Sequence, residues 1–221
     1  MTAKQQIAAW KRAAAGGDAE AAWRLGDAYA NGEAFADGRR VAVRRDRAEA
    51  IRWFRLAAAS GDAGALCNLG TLLAETGRAD DTAEGISLLK RAHRAGDACA
   101  AHNLALTYSE LGNRRRCAAW LKTACRGGDN ADWLRLGIAY AAGYGVRRDL
   151  AEAARLFRKA AAQRDGFPCD REEARGFLAM LAAGRPIRVE GPIGRVHPDP
   201  APGGKRVGCN RGKKESDWKG T

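Results

Sequence analysis

Hydrophobic and small residues recur along the chain at the spacing of amphipathic helices. A leucine is followed four residues later by Tyr or Leu in four places, namely Leu25 with Tyr29, Leu69 with Leu73, Leu104 with Tyr108, and Leu136 with Tyr140. An apolar pair followed by alanine forms a second series, namely Trp53-Phe54 with Ala57, Leu88-Leu89 with Ala92, Trp120-Leu121 with Ala124, and Leu156-Phe157 with Ala160. Residues four apart share one helix face. The two series predict two helices in each of four repeated units, with these residues in the core.

Gly-Asp pairs separate the predicted helix pairs. They stand at Gly17-Asp18, Gly61-Asp62, Gly96-Asp97 and Gly128-Asp129. Glycine adopts the left-handed conformation that ends a helix, and aspartate caps the helix that follows. Three further glycines, Gly26, Gly70 and Gly137, fall inside predicted helices, where each costs roughly 1 kcal/mol of helix propensity. We therefore expect a neighbouring helix to pass close to each of them.

These signals divide the chain into a repeat array and a tail. Residues 1–18 are predicted to hold the second helix of a partial repeat, and residues 165–183 a capping helix that starts near Asp170. Between them we expect four repeats, over about 19–62, 63–97, 98–129 and 130–164. No strand longer than a bridge is expected up to and including Ala183. Residues 184–221 are rich in Pro, Gly, Lys and Arg and are expected to be flexible.

The fourth unit carries the most complete pattern. Its sequence, NADWLRLGIAYAAGYGVRRDLAEAARLFRKAAAQR over 130–164, closely resembles the Sel1-like repeat, a subfamily of tetratricopeptide-like helical repeats. The first unit matches once eight extra residues are allowed between Tyr29 and Asp46. The second and third units depart from the pattern at Leu73 and Ala105. The resemblance covers residues 4 to about 164.

The resemblance implies a fold and a role. The expected fold is an all-α solenoid of antiparallel helix pairs with a right-handed superhelix. The expected role is that of an adaptor or scaffold whose first helices line a concave face and bind a peptide or another protein. In each unit the residue before the core leucine lies about 100° round the first helix. We therefore expect a polar, partner-binding stripe made of Arg24, Asn68, Asn103 and Arg135.

The net charge of the chain predicts a second binding surface. The chain carries 38 Lys plus Arg against 26 Asp plus Glu, a net charge of +12, with a pI of about 9.9. A balance of this kind favours an acidic or carboxylate-bearing partner. Arginines are concentrated in the loops that join the two helices of a unit, which should form a basic edge comprising Arg39, Arg40, Arg44, Arg45, Arg114, Arg115, Arg116, Arg147 and Arg148.

The alternative function is electrostatic nucleic-acid binding by the basic edge and the basic tail. Such binding rests on phosphate contacts and is steeply salt-sensitive. Aromatic residues that stack on bases would strengthen it, but most Trp and Tyr residues occupy predicted core positions, which leaves Trp218 as the main exception. A protein or peptide partner therefore remains the main interpretation.

No enzymatic motif is present in the sequence. It contains no phosphate-binding loop, no dinucleotide-binding glycine pattern and no nucleophile elbow. Cys99 and His102 are three apart, but two ligands do not make a metal site. We therefore expect no catalytic residues, no metal and no cofactor.

Composition and cysteine usage bear on the environment of the protein. Without a secretion signal or a membrane-spanning stretch, the chain is expected to be cytoplasmic, away from membranes, with its six cysteines reduced. Cys99 and Cys125 are expected to be small buried thiols. The scarcity of β-branched residues argues against a β-sandwich or barrel. The oligomeric state is left open.

Overall fold

The computed structural model describes residues 3–36, 39–126, 132–163 and 168–193. Over these ranges the chain forms ten α-helices and one two-stranded antiparallel sheet. In chain order these are α1 (Ala3–Ala15), α2 (Ala19–Asn31), β1 (Glu33–Ala36), β2 (Arg39–Ala42), α3 (Arg47–Ala58), α4 (Ala63–Ala74), α5 (Ala79–Arg94), α6 (Ala100–Glu110), α7 (Arg114–Arg126), α8 (Asp132–Ala142), α9 (Leu150–Ala162) and α10 (Pro168–Ala182).

The chain divides into two compact units, Met1–Thr107 and Tyr108–Thr221, here called unit 1 and unit 2. In unit 1, successive helices from α1 through α5 pack on one another. In unit 2, α7 packs on α8, α8 on α9 and α9 on α10. Packing between successive helices is typical of an α-solenoid, and the all-α fold predicted from the sequence is confirmed.

The joints between helix pairs have the predicted chemistry. Gly17, Gly61 and Gly96 have φ angles of 94°, 83° and 91°, which lie in the left-handed region. After two of these glycines, Asp18 accepts a hydrogen bond from the Ala21 N–H and Asp62 accepts one from the Ala65 N–H. After the third, Asp97 accepts from the Cys99 N–H. The fourth pair, Gly128-Asp129, lies outside the described residues.

The predicted close helix contacts are confirmed. A Cβ atom on Gly26 would lie 2.7 Å from the Phe54 ring, and one on Gly137 would lie 2.6 Å from the Phe157 ring. On Gly70 it would lie 2.9 Å from the carbonyl oxygen of Gly85. The core leucines Leu25, Leu69, Leu104 and Leu136 are all buried.

The expectation that no strand precedes residue 184 is wrong. The first repeat, which carries the eight extra residues, contains a hairpin in which Glu33 pairs with Ala42 and Ala36 pairs with Arg39. The hairpin leaves the connection between the helices unchanged, because the Asp46 N–H still donates to the Tyr29 carbonyl at 3.0 Å. The equivalent bond joins the Asp149 N–H to the Tyr140 carbonyl, also at 3.0 Å, in the fourth repeat, which lacks the insertion.

The C-terminal helix covers the last repeat. In α10, Phe177 stacks on Phe157 of α9 with 5.2 Å between ring centroids. The helix begins at Pro168, two residues before the predicted start, because proline is well tolerated in a first helical turn.

The start of the predicted flexible tail is packed. Residues 185–190 have no regular secondary structure, yet Ile187 is buried and Ile193 is 1% exposed. Two apolar side chains are therefore removed from water, which stabilises this segment against unit 2. The remainder of the predicted tail, residues 194–221, lies outside the described residues.

The cysteines depart in part from expectation. Cys67, Cys99, Cys117 and Cys125 are thiols, whereas Cys169 is disulfide-bonded, contrary to the expectation that all cysteines are reduced. Cys99 is exposed and Cys125 is half-buried, so the prediction that both are buried is wrong.

Among the described helices, none is long and apolar enough to cross a membrane.

Candidate partner-binding surfaces

Three of the four predicted stripe residues lie in unit 1. Arg24, on α2, is exposed, and its Nε atom donates to Glu20 Oε1 at 2.9 Å. Its guanidinium also lies over the ring of Trp10, with 6.0 Å from Cζ to the ring centroid. Asn68 is half-buried on α4. Arg24 therefore keeps one face toward solvent while the other contacts Trp10.

Asn103 is held in place by neighbouring side chains. Its Nδ2 group donates to Thr71 Oγ1 at 3.0 Å and contacts Cys67 Sγ at 3.3 Å. These contacts join α6 to α4, the first helices of adjacent repeats. Among the described residues no group donates to Asn103 Oδ1, so this oxygen is oriented by the internal bonds and can still accept from a partner.

The Cys67 thiol beside Asn103 is unreactive. Burial is the main reason why its pKa is raised to about 12, and the nearby carboxylate of Asp97 raises it further. A thiol with so high a pKa stays protonated near neutral pH and is a poor nucleophile. The surroundings of Asn103 therefore favour binding over covalent chemistry.

Arg135, the fourth stripe residue, lies in unit 2 and is buried. It is 7% exposed, and its Nη1 atom lies 3.4 Å from Asp132 Oδ1, a carboxylate that is itself fully buried. A buried arginine paired within its own helix does not line an exposed wall. The expectation that Arg135 faces a partner therefore does not fit its position in the structure.

The predicted basic edge separates into arginines with structural contacts and arginines that face solvent. Arg45 Nε donates to the Asn31 carbonyl at 2.9 Å, and Arg148 Nε donates to the Ala141 carbonyl at 3.1 Å. Each satisfies a carbonyl at the end of a first helix, where intrahelical partners are missing. The two arginines precede the equivalent capping residues Asp46 and Asp149, so the same contact occurs in the first and the fourth repeat.

Other edge arginines contact tyrosine rings or solvent. In unit 2, Arg114 lies over the Tyr144 ring, with Cζ 5.2 Å from the centroid, and Arg116 lies over the Tyr108 ring at 5.4 Å. Arg44, Arg115 and Arg147 are exposed, and among the described residues none engages them in a hydrogen bond or ion pair. Arg39 and Arg40 belong to β2, but their side chains lie outside the described part of the structure.

One contact was missed by sequence reasoning. The Ile193 N–H donates to Ser109 Oγ at 2.8 Å, and Ser109 Oγ lies 3.2 Å from Tyr144 Oη. Ser109 and Tyr144 are both almost fully buried. The available signal was the repeated Pro-Ile pair at Pro186-Ile187 and Pro192-Ile193, which places two rigid, apolar anchors in an otherwise polar segment.

The described residues contain no group of three or more His, Cys, Asp or Glu side chains placed to hold a metal ion. The packing of successive helix pairs defines the class of helical-repeat proteins. The Sel1 repeat model matches residues 19–62, 100–129 and 134–165, which shows that the chain contains Sel1 repeats. Sel1 repeat proteins generally mediate protein–protein interactions, and the family is typically non-catalytic. No curated protein matches the chain.

Three solved structures share the fold. A protective antigen of uropathogenic Escherichia coli with an SLR fold is 24% identical with a TM-score of 0.63, and the match covers 79% of this chain but only 36% of that protein. A Sel1 repeat protein from Oxalobacter formigenes is 25% identical with a TM-score of 0.61, covering 82% of this chain and 69% of the other. A putative Sel1 repeat protein from Klebsiella pneumoniae is 22% identical with a TM-score of 0.51, covering 83% and 85%. These likenesses confirm the α-solenoid prediction.

Proposed function

We propose that the chain is a non-catalytic scaffold that binds a peptide or protein segment along the first helices of its repeats. The observation that carries this proposal is the position of Asn103, whose amide group is fixed by Thr71 while its carbonyl oxygen remains available. An extended peptide offers backbone N–H groups, and an oriented amide oxygen accepts from them. Asn68 and Arg24, the other stripe residues of unit 1, extend this polar lining, whereas Arg135 is not part of the proposal.

The partner is proposed to be acidic or to carry a free carboxylate, since the chain has a net charge of +12. Electrostatic nucleic-acid binding is the second candidate, favoured by the exposed Arg44, Arg115 and Arg147. A crosslinking pulldown from native lysate, with and without nuclease, separates the two. Protein captured equally in both arms supports the scaffold, whereas capture lost with nuclease supports the alternative.

Asn103→Ala is expected to weaken binding of the captured protein by about 1–2 kcal/mol, because it removes hydrogen bonds to the partner. The measurement is titration calorimetry with the purified partner. Thr71→Val is the matched control and should lose less affinity, since it breaks the internal bond to Asn103 but keeps the asparagine carbonyl. If Asn68→Ala and Asn103→Ala both bind like the wild type, the partner does not use the first helices.

Replacing the solvent-facing Arg115 and Arg147 with serine is expected to slow association with an acidic partner and to flatten its salt dependence. Long-range attraction between exposed charges is screened by salt and acts mainly on the association rate. Surface-plasmon resonance at low and high ionic strength measures both effects. Arg45→Ser is the comparison, since its side chain contacts the end of α2. Unchanged association rates in the double variant would limit these arginines to a role in solubility.

A further inference from the structure

The segment that follows α10 is anchored in unit 2 by two isoleucines. Ile187 and Ile193 are buried, and each follows a proline. Proline restricts its own backbone, so a segment with two Pro-Ile pairs loses less conformational entropy on docking than a freely jointed one. Between the two anchors, Arg188 and Glu190 are exposed and Val189 is half-buried. Its contact with unit 2 thus consists of aliphatic anchors separated by polar residues.

Ile193 completes a buried chain of polar groups. Its N–H donates to Ser109 Oγ at 2.8 Å, and that oxygen lies 3.2 Å from Tyr144 Oη. Both hydroxyl groups are almost fully buried, so the Ile193 N–H adds a hydrogen bond in a site from which water is largely excluded. The site therefore favours an occupant that supplies one backbone N–H and one aliphatic side chain, which many extended peptides can do.

The charges around this site favour an occupant that is more acidic than the present one. Arg114, whose guanidinium lies over the Tyr144 ring, begins α7 and is followed by the exposed Arg115 and Arg116. Three arginines and no acidic residue stand at the positive end of the helix dipole, where cations are unfavourable. Within the segment, the exposed Arg188 and Glu190 together supply no net negative charge. An occupant with acidic residues would be favoured over it.

We propose that Ser109, Tyr144 and the first turn of α7 form a peptide-docking site in unit 2. The chain's own Pro186–Ile193 segment occupies this site, and an acidic segment of a partner, with an aliphatic residue preceded by proline, displaces it. This inference rests on the proposed scaffold function but places a second binding element apart from Asn103. The chain's own segment acts as a tethered competitor at an effective concentration of roughly millimolar, so a partner segment must compete with it for the site. The basic first turn of α7 contradicts the usual preference of helix N-termini for acidic residues. Local conflicts of this kind are expected at functional sites.

The test uses the full-length protein and a fluorescent peptide. The probe has the sequence of residues 184–194 with Arg185 and Arg188 replaced by glutamate, and its binding is followed by anisotropy. Ile193→Asp in the protein expels the tethered segment and is expected to bind the probe about tenfold more tightly than the wild type, because the competitor is removed. Ser109→Ala in that background is expected to weaken binding by about tenfold through loss of one buried hydrogen bond.

Controls make the result specific. A probe with aspartate at the position of Ile193 should not bind, and the unmodified basic sequence should bind less tightly than the acidic one. Ser87→Ala, at an exposed site in unit 1, should leave probe binding unchanged. If circular dichroism shows that Ile193→Asp unfolds unit 2, Ile193→Ala replaces it with the same expectation.

Equal probe affinity for the wild type and the Ile193 variant, or no binding to either, would overturn the proposal and leave the segment as a structural cover. Concentration-dependent dimerisation of the wild type that is abolished by Ile193→Asp would also overturn it, since the segment would then dock on a second copy. Asn103→Ala is expected not to change probe affinity. If the probe does not bind but Asn103→Ala still weakens binding of the captured protein, the docking site is contradicted and the proposed scaffold function is not.

Discussion

Gly85→Ala is expected to lower the free energy of unfolding by about 3 kcal/mol, the upper part of the usual range for overpacked cores. A Cβ atom at this position would lie in hard contact with the carbonyl oxygen of Gly70 and 2.8 Å from the backbone nitrogen of Ala74. Both atoms belong to the backbone of α4, so no side-chain rotation relieves the clash. The two helices must separate, and the buried Leu69, Leu73 and Leu89 lose packing with them.

The expected loss at Gly85 runs against helix propensity. Alanine is favoured over glycine inside a helix by about 1 kcal/mol, so a position without tertiary contact would be stabilised by the same change. Urea unfolding of the full chain, followed by circular dichroism, measures the difference. Ser87→Ala, two residues along α5 and exposed, is the matched control and should be near neutral. A stabilised Gly85→Ala variant would mean that α4 and α5 are not in close backbone contact.

Gly137→Ala is expected to cost about 2 kcal/mol, and Phe157→Leu is expected to recover part of that cost, since overpacking of this kind typically costs about 1–3 kcal/mol. An added Cβ would lie 2.6 Å from Phe157 Cε1. The ring is fully buried and stacks on Phe177, so it has little room to move. A leucine at position 157 removes the ring edge that the new methyl group would strike.

A double-mutant cycle tests whether the two residues act on each other. Phe157→Leu alone should destabilise, because it loses packing and the stacked contact with Phe177, which contributes about 0.5–1.5 kcal/mol. The double variant should lose less stability than the sum of the single variants, with a coupling of about 1 kcal/mol. Denaturant unfolding of all four proteins supplies the four free energies. Simple additivity would place the Phe157 ring away from Gly137.

The core of each repeat was predictable because its determinants act within a few residues. Leu25 and Tyr29 are one helical turn apart, and Gly17 and Asp18 end one helix and begin the next. Gly26, Gly70 and Gly137 revealed close helix contacts, since each carries a local cost that only tertiary packing explains. Gly85 was overlooked, although it faces Gly70 across the same contact and is the more tightly confined of the two.

The hairpin of the first unit had a recognisable signal. Asp37-Gly38 stands between Glu33–Ala36 and Arg39–Ala42, and an Asp-Gly pair between alternating residues is a strong indication of a hairpin turn. The sequence expectation treated these residues as an insertion within a helical repeat. Pairing between two short strands proved compatible with the spacing of the helices, because the bond from Asp46 to Tyr29 bypasses the hairpin.

Arg24 and Arg135 occupy the same register in their repeats, and both form an ion pair with an acidic residue one turn earlier. Arg24 is half exposed beside Glu20, whereas Arg135 is buried beside Asp132. Helical periodicity determines the direction of a side chain relative to its own helix. It carries no information on which segment covers that side chain, so identical sequence positions acquired different environments.

The sequence by itself determined the helix pairs, their joints, the glycine contacts and the membership in the Sel1 repeats, because these depend on short-range periodicity and backbone conformation. The tertiary structure decided which polar residues remain available to a partner. It assigned Arg45 and Arg148 to helix ends, fixed Asn103 through Thr71, and seated Ile193 on Ser109, a residue 84 positions away. Contacts across such distances depend on how whole elements pack, and local sequence rules do not encode that packing.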